Sequence, residues 1–230
     1  MSQGISHEEA FRIANNFLGW GERDIDGKGS LWFVGLEEAA KWTPEALQRY
    51  CNRGEDQSID EHPEMGASEI FSGVTGYCSK IACSLSGGYG GLEWRRYRKE
   101  KLWRVGCGIL HINLFPIGRT CRSEYPEDVK TLFGYGQENW REYERVVFAS
   151  DRFERITKLW RAEPRPQAVI CFGKEGWQYT DAIFELKPHD KQGSAYKFWV
   201  DEHKRVIQTK FFCNYSPPTA PASLNGRLTT

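Results

Sequence analysis

The sequence predicts an α/β fold built on a four-stranded, mainly parallel sheet flanked by helices. Four short apolar runs are spaced widely along the 230 residues, with helical patterns between them. Continuous apolar runs are typical of strands that are buried on both faces, as in parallel sheets. The runs cover 31–34, 108–112, 168–172 and 206–213. A chain of this length can enclose one sizeable core, so we expect a single domain over residues 1–230.

The first predicted element is a helix that begins after Ser6. Ser6 and Glu9 have the spacing of a capping box, in which each side chain satisfies a free backbone N–H at the start of a helix. Apolar residues then recur at helical spacing as far as Leu18. We expect Gly19 and Gly21, on either side of a Trp, to end this helix.

Two further elements are predicted around the third and fourth runs. A helical pattern from about 138 to 161 precedes the third run. A hairpin is expected near the end of the chain, where 196–200 would pair with 206–212 across a turn at 201–204.

Composition and charge argue against several classes of protein. Lys and Arg number 31 and Asp and Glu number 31, so a nucleic-acid interface would need its positive charge concentrated locally. The seven cysteines form no C-x-x-C pair, which argues against a disulfide framework or a four-cysteine metal site. No apolar run approaches the ~20 residues of a membrane helix, and no signal peptide is visible. We therefore expect a cytoplasmic protein with no four-cysteine metal site and no membrane partner.

The segments that follow the four apolar runs are polar or rich in Gly and Pro. In a parallel sheet, functional residues lie in the loops at the carboxyl ends of the strands. The four segments could therefore form one site at one edge of the sheet. They are 35–40, 113–116, 173–176 and 214–218.

In order and spacing, these segments resemble the uracil-DNA glycosylase superfamily over about residues 31–220. In that family one strand ends in a Gly-x-(Asp/Asn)-Pro-type motif and a later strand ends in an Asn that reads the base. A third strand is followed by a Gly, and the last is followed by a His-Pro-Ser-Pro-type loop that enters the minor groove. The corresponding segments here are Gly35-Leu36-Glu37-Glu38, Asn113, Gly173 and Asn214-Tyr215-Ser216-Pro217.

The resemblance implies a three-layer α/β/α sandwich and an enzyme that flips a base out of double-stranded DNA and cuts its N-glycosidic bond. Glu37 stands at the catalytic position, with Glu38 as the alternative carboxylate, and Asn214 replaces the usual His. A carboxylate can stabilise the oxocarbenium-like sugar and orient or deprotonate water. Asn214 cannot carry a titrating positive charge, so it would stabilise the leaving base differently. The resemblance implies a monomer that needs no cofactor.

Base recognition is assigned to the same segments. The carboxamide of Asn113 offers a donor and an acceptor to the edge of a flipped pyrimidine, and Gly35 borders the same pocket. The alternative for Asn113 is a buried residue that caps the following turn. Phe71 is the expected stacking aromatic, with Trp42 and Tyr77 as alternatives.

The substrate is suggested by Ala39. In uracil-specific members an aromatic at this position blocks groups on pyrimidine C5, whereas mismatch-directed members carry Gly there. An Ala leaves space, which favours a C5-substituted pyrimidine. The first candidate is the glucosylated hydroxymethylcytosine of phage DNA, excised in phage defence. The alternative is a uracil or mismatch repair glycosylase.

Two regions are expected to contact DNA. The segment 94–104 carries six basic residues against one Glu, and Arg95, Arg96, Arg98 and Lys99 would contact phosphates. Its alternative is a solvated edge strand or helix face. The last loop would enter the minor groove, or else form a Pro-rich tail. Its candidate contacts and apolar wedges are Ser216, Pro217, Pro218, Pro221 and Leu224.

Other interpretations stay open. Asp181, Glu185 and Lys187 resemble the acidic residue and Glu-x-Lys of a metal-dependent nuclease. An amphipathic strand over 184–187 explains the same pattern. A DNA-binding protein that has lost catalysis is a further alternative. His111, within the second run, is expected to be a core residue with satisfied hydrogen bonds.

Overall fold

The fold is described from a computed structural model. The described residues are 6–21, 30–37, 43, 45, 56–57, 73–87, 93–104, 106–118, 126–187, 196–200 and 205–209. The α-helices are α1 (His7–Asn16), α2 (Gly73–Leu85), α3 (Glu93–Glu100), α4 (Glu127–Phe133), α5 (Trp140–Ala149), α6 (Arg152–Arg161) and α7 (Trp177–Ile183). The strands are β1 (Gly19–Gly21), β2 (Leu31–Gly35), β3 (Asp56–Gln57), β4 (Ile109–Asn113), β5 (Ala168–Phe172), β6 (Tyr196–Val200) and β7 (Arg205–Thr209).

The strands form one mixed, mostly parallel sheet in the order β3-β1-β4-β2-β5-β7-β6. The four neighbours β4, β2, β5 and β7 run parallel to one another. At the two sides of this group, β6 is antiparallel to β7, whereas β1 is antiparallel to β4 and parallel to β3. The four parallel strands coincide with the four apolar runs. The predicted α/β class with a mainly parallel sheet is therefore confirmed.

The predicted count of four strands is wrong, because the described part of the sheet has seven. Two of the additional strands, β1 and β3, have only three and two residues and carry no apolar run. The strand β1 pairs with the open edge of β4, and β3 then pairs with the outer edge of β1. Periodicity cannot predict strands this short.

Gly19 and Gly21 do not simply end α1, as expected, but belong to β1. A β-carbon at Gly19 would overlap the backbone carbonyl of His111, and one at Gly21 would overlap that of Ile109. Gly21 also has a φ of 104°, which L side chains rarely adopt. The two glycines are therefore required by the close approach of β1 to β4.

Other local predictions are confirmed in whole or in part. The Ser6 side chain caps α1 by accepting a hydrogen bond of 3.2 Å from the Glu9 backbone N–H. The Glu9 carboxylate, the other half of the predicted capping box, accepts from Arg12 instead. The hairpin forms between β6 and β7, with Phe198 opposite Ile207. The helical segment before β5 is also present, although it is divided into α5 and α6 at Ser150. The predicted fourth run extends beyond β7 into 210–213, which lie outside the described residues.

The register places two sets of side chains on opposite faces of the sheet. Gly35 is paired with Asn113, and Phe33 with His111, so these four residues share one face, here called the site face. Gln208 lies on the opposite face, where its side chain donates to Thr180 and Asp181 of α7. In the described ranges, no helix is long and apolar enough to cross a membrane.

Candidate functional site

The carboxyl ends of the parallel strands meet at one edge of the sheet. Gly35, the last residue of β2, is the register partner of Asn113, the last residue of β4. The chain continues this pairing beyond the strands, since Leu114 N–H donates to the Gly35 carbonyl at 3.0 Å and Phe115 N–H to the Leu36 carbonyl at 2.8 Å. The segments that follow β2 and β4 are thus held side by side.

The exits of β5 and β7 join at the same edge. Phe172 and Thr209 are register partners at the ends of these strands. The Gly173 N–H donates to the Thr209 carbonyl at 3.1 Å, and Gly173 has a φ of 95° that favours glycine. Three of the four segments predicted to build the site therefore begin together. The fourth, 214–218, lies outside the described residues.

The side chains around residue 35 leave no room for a β-carbon, so this position requires glycine. A β-carbon there would lie 2.8 Å from Cε2 of Phe172, 3.0 Å from its Cζ and 3.4 Å from Nε2 of His111. The Phe172 ring is only 4% exposed, so it has little space in which to withdraw. The absent side chain lets the Phe172 ring lie over the end of β2, beside Asn113.

Asn113 is buried at this edge, with 4% of its surface exposed. Its backbone is fully engaged, because the N–H donates to the Leu18 carbonyl at 2.9 Å and the carbonyl accepts from Nη2 of Arg152 at 2.6 Å. The side-chain oxygen Oδ1 is buried and has no hydrogen-bond partner among the described residues. A buried acceptor without a donor lowers the stability of the fold by roughly 1–3 kcal/mol. Its presence at this position is consistent with a ligand that supplies the donor.

Arg152 fixes the backbone at the exit of β4 and at the end of α1. This role was not predicted from the sequence. Its side chain is fully buried and donates to four backbone carbonyls. The acceptors are Leu114 at 2.9 Å, Asn15 at 2.8 Å, Phe17 at 3.0 Å and Asn113 at 2.6 Å. The available signal was its position on α6, one helical turn before the buried Ile156. A charged residue on the buried stripe of a helix requires internal partners.

Glu37 is half-buried and lies two residues beyond the end of β2. Adjacent strands are ~4.8 Å apart and two residues span at most ~7 Å, so its Cα lies within about 12 Å of that of Asn113. This separation allows one nucleotide to contact both side chains. Glu38 and Ala39, the neighbouring predicted site residues, lie outside the described residues.

His111 is half-buried on the site face, where its ring lies between two aromatic rings and both ring nitrogens are buried. It stacks on Trp103 with ring centroids 5.4 Å apart and lies 5.6 Å from the Phe172 ring. Burial lowers the pKa of His111 to about 4, so the imidazole is neutral at neutral pH. The expectation that its hydrogen bonds are satisfied is wrong within the described ranges, since both ring nitrogens are buried without a partner there.

The alternative nuclease site receives no support from the geometry. The Asp181 carboxylate accepts a hydrogen bond of 2.6 Å from Gln208, on the face of the sheet opposite Asn113. Glu185 forms an ion pair with Arg161. The expected strand over 184–187 is instead the turn that ends α7, because Phe184 N–H bonds back to the carbonyl of Thr180. Among the described residues there is no cluster of three His, Cys, Asp or Glu that could hold a metal ion.

The basic segment forms α3 and the turn after it, so it is a helix rather than an edge strand. Arg96 forms an ion pair with Glu100 at 3.0 Å, whereas Arg95 and Arg98 lie against the ring of Trp94. Lys99 is exposed.

Of the aromatic candidates, Tyr77 lies in α2, where Lys80 stands 5.5 Å from the centre of its ring. The other predicted site residues lie outside the described residues. They are Trp42, Phe71, Asn214, Ser216, Pro217, Pro218, Pro221 and Leu224.

The sequence matches no protein-family model and none of the curated proteins compared with it. The class defined by the described residues is an α/β protein with a buried amide and a carboxylate at the carboxyl edge of a mostly parallel sheet.

Proposed function

We propose that this protein is a monofunctional DNA glycosylase that flips a modified base out of double-stranded DNA and hydrolyses its N-glycosidic bond. The observation that supports this most directly is Asn113. Its Oδ1 is buried and unpartnered among the described residues, at the edge where parallel-sheet proteins bind ligands. A flipped base has N–H groups, such as the exocyclic amino group of a cytosine, that can donate to such an oxygen. The same proposal includes a three-layer α/β/α arrangement of the domain.

In this proposal the carboxylate of Glu37 faces the sugar of the flipped nucleotide. The bond between C1′ and the base breaks with its electron pair leaving on the base, and the sugar becomes oxocarbenium-like. The carboxylate stabilises that positive charge and accepts a proton from the water whose oxygen bonds to C1′. The protonated carboxyl then gives up this proton, through solvent, to the anionic base, so the products are the neutral free base and an abasic site, and Glu37 is again a carboxylate. Glu38 is the alternative carboxylate, and Asn214 would hydrogen-bond the leaving base without supplying a positive charge.

The environment of Asn113 suits recognition of a neutral ring. Phe172 lies over Gly35 beside it, and the neighbouring imidazole of His111 is uncharged at neutral pH. Buried polar groups discriminate strongly against ligands that leave them unpaired. Phe71 would stack on the base, and Ser216 and Pro217 would contact the DNA strand.

The substrate class follows from Ala39. A small side chain beside C5 leaves room for a C5 substituent, so we propose glucosylated hydroxymethylcytosine as the first candidate and phage defence in the cytoplasm as the role. Discrimination in a closed base pocket is chiefly steric. Uracil would be held loosely, and a misplaced base can lose on the order of 100-fold in rate.

The test is a panel of duplexes that contain uracil, a mismatch, hydroxymethylcytosine or its glucosylated form, with released bases measured by mass spectrometry. We expect release of a C5-modified cytosine, and we expect Ala39→Tyr to suppress that release without changing the far-UV circular dichroism spectrum. Release of uracil alone would instead assign the protein to uracil repair. Release of no base from any duplex would overturn the proposed function.

A further inference from the structure

Three cationic side chains from two helices surround one indole ring. Arg95 Cζ lies 4.7 Å and Arg98 Cζ 5.2 Å from the centre of the Trp94 ring, and Lys80 Nζ of α2 lies 4.8 Å from it. All three distances are within the range of a cation–π interaction. We call Trp94, Lys80, Arg95 and Arg98 the Trp94 cluster.

The sequence brings the two helices close enough to build this cluster. Gly76 of α2 faces α3, and a β-carbon there would lie 3.7 Å from Nη1 of Arg98 and 3.9 Å from the Trp94 ring. Lys80 follows Gly76 by four residues and so lies on the same side of α2. On α3, Trp94 and Arg98 are likewise four residues apart. The cluster is therefore a defined arrangement of two packed helices.

The cluster concentrates positive charge in a chain whose formal net charge is zero. Partial burial lowers the pKa of Arg98, and the charge of Arg95 lowers it further. Like charges held this close repel one another, and a bound anion relieves that repulsion. Elsewhere in the basic segment, Arg96 pairs with Glu100, and Arg104, in the turn after α3, donates to the Lys99 carbonyl.

We propose that the Trp94 cluster binds the phosphate groups of duplex DNA and that Lys80, which lies outside the basic segment, belongs to this interface. The inference rests on the proposed function for the identity of the polyanion. Duplex DNA carries one negative charge per ~1.7 Å of its axis, so several phosphates meet a cluster of this size. In this proposal the Trp94 indole does not stack on a base. Its ring attracts the three cations and thereby orients them.

The position of the cluster agrees with a single path for the duplex. Trp103, in the turn after α3, stacks on His111 on the site face, the face that also carries Asn113. The eight residues of α3 span ~12 Å and lead into the turn that carries Trp103, so the helix that bears the cluster adjoins the site face. The proposal places one duplex across the cluster and the site face.

The test measures binding of an unmodified fluorescent duplex to the full chain by anisotropy, over 0.05–0.5 M NaCl, roughly the range in which counterion release dominates affinity. We expect Lys80→Gln to reduce the slope of log affinity against log salt by about 0.9 and to weaken binding about 5- to 10-fold at 0.1 M salt. The triple variant Lys80→Gln, Arg95→Gln, Arg98→Gln should lose about three phosphate contacts, and its slope should fall by about three times as much as that of Lys80→Gln. The matched control is Lys158→Gln, an exposed lysine of α6 that pairs with Glu154.

Each outcome decides the proposal. A salt slope for Lys80→Gln equal to that for Lys158→Gln overturns it. The same variants are also tested on vesicles that contain phosphatidylserine. A Lys80→Gln protein that loses vesicle binding but keeps full DNA binding overturns the proposal as well. The anisotropy measurement is repeated with duplex RNA. If Lys80→Gln weakens binding to duplex RNA more than binding to duplex DNA, the cluster binds a different polyanion and the proposal is overturned. Because the duplex contains no modified base, this result is independent of base release. Circular dichroism of each variant verifies that it is folded.

Discussion

Arg152 Nη2 and the carbonyl oxygen of Asn113 are joined by a hydrogen bond of 2.6 Å. Arg152 also donates to carbonyls at the end of α1 and just beyond β4. One buried guanidinium thus fixes the backbone of the residue proposed to read the base. Because the contact is made to the backbone, it positions Asn113 while leaving the side chain available to a ligand.

The first prediction concerns this guanidinium. Arg152→Met removes a charged donor from four carbonyls, so we expect the free energy of unfolding to fall by at least about 3 kcal/mol, measured by urea denaturation. Arg152→Lys keeps the charge but lacks the planar fork, so it should recover only part of this loss. The control is Arg155→Met, whose side chain donates to Asn15 and Asn16 from a more exposed position. Equal losses for Arg152→Met and Arg155→Met would contradict this account.

The second prediction concerns Gly35. In Gly35→Ala the new methyl group lies 2.8 Å from the Phe172 ring, which must move against its own packing. We expect a loss of about 1–3 kcal/mol in the free energy of unfolding. The matched control is Gly76→Ala, where the β-carbon meets only ordinary contacts and α2 gains up to ~1 kcal/mol in helix propensity. A Gly35→Ala protein as stable as Gly76→Ala would show that Phe172 does not lie over Gly35.

The third prediction is a dependence of stability on pH that comes from His111. Its pKa is about 4 in the folded protein, against about 6.5 in the unfolded chain, so the unfolded state binds more protons between these values. The contribution is complete above pH 6.5 and is lost as the pH falls towards 4, by about 3 kcal/mol in total. His111→Phe should reduce the decline of the unfolding free energy over this window. Identical pH profiles for the two proteins would contradict the lowered pKa.

The fourth prediction separates a functional from a structural role for Asn113. Its Oδ1 is buried without a partner among the described residues, so Asn113→Leu should leave the unfolding free energy unchanged or raise it by up to about 1 kcal/mol. Release of the modified base should fall by about 100-fold or more, because the base loses its acceptor. A large loss of stability with activity retained would instead make Asn113 a turn-capping residue.

The sequence predicted those parts of the fold that carry a repeated physical signal. The four parallel strands are continuous apolar runs, α1 begins at a capping pair, and β6 and β7 meet as a hairpin. The strands β1 and β3 could not be predicted, because Gly19–Gly21 has no alternation and Asp56–Gln57 is a polar dipeptide. Each depends on a neighbouring strand, β4 for β1 and β1 for β3, and such pairing is a tertiary feature.

The candidate site was predictable to a similar extent. Gly35 and Asn113 were found because the carboxyl ends of parallel strands are a general location for sites, and the register pairs them directly. The roles of Arg152 and Phe172 were not found, because each acts on residues far from it in the sequence. The absence of hydrogen-bond partners for the two ring nitrogens of His111, among the described residues, could not be predicted for the same reason. Only the packed structure shows which groups surround the ring.

The most direct measurement is a comparison of base release and strand cleavage by the wild type, Glu37→Gln and Asp181→Asn, using duplex DNA that contains glucosylated hydroxymethylcytosine. Free base is measured by mass spectrometry, and strand breaks are measured by gel with and without prior alkali treatment, in buffer with EDTA or Mg²⁺. We expect wild type and Asp181→Asn to release the base in EDTA and leave alkali-sensitive abasic sites. Glu37→Gln should be slower by about 100-fold or more while still binding DNA. Strand cleavage that requires Mg²⁺ and is lost in Asp181→Asn, with no free base from any duplex, would contradict the account.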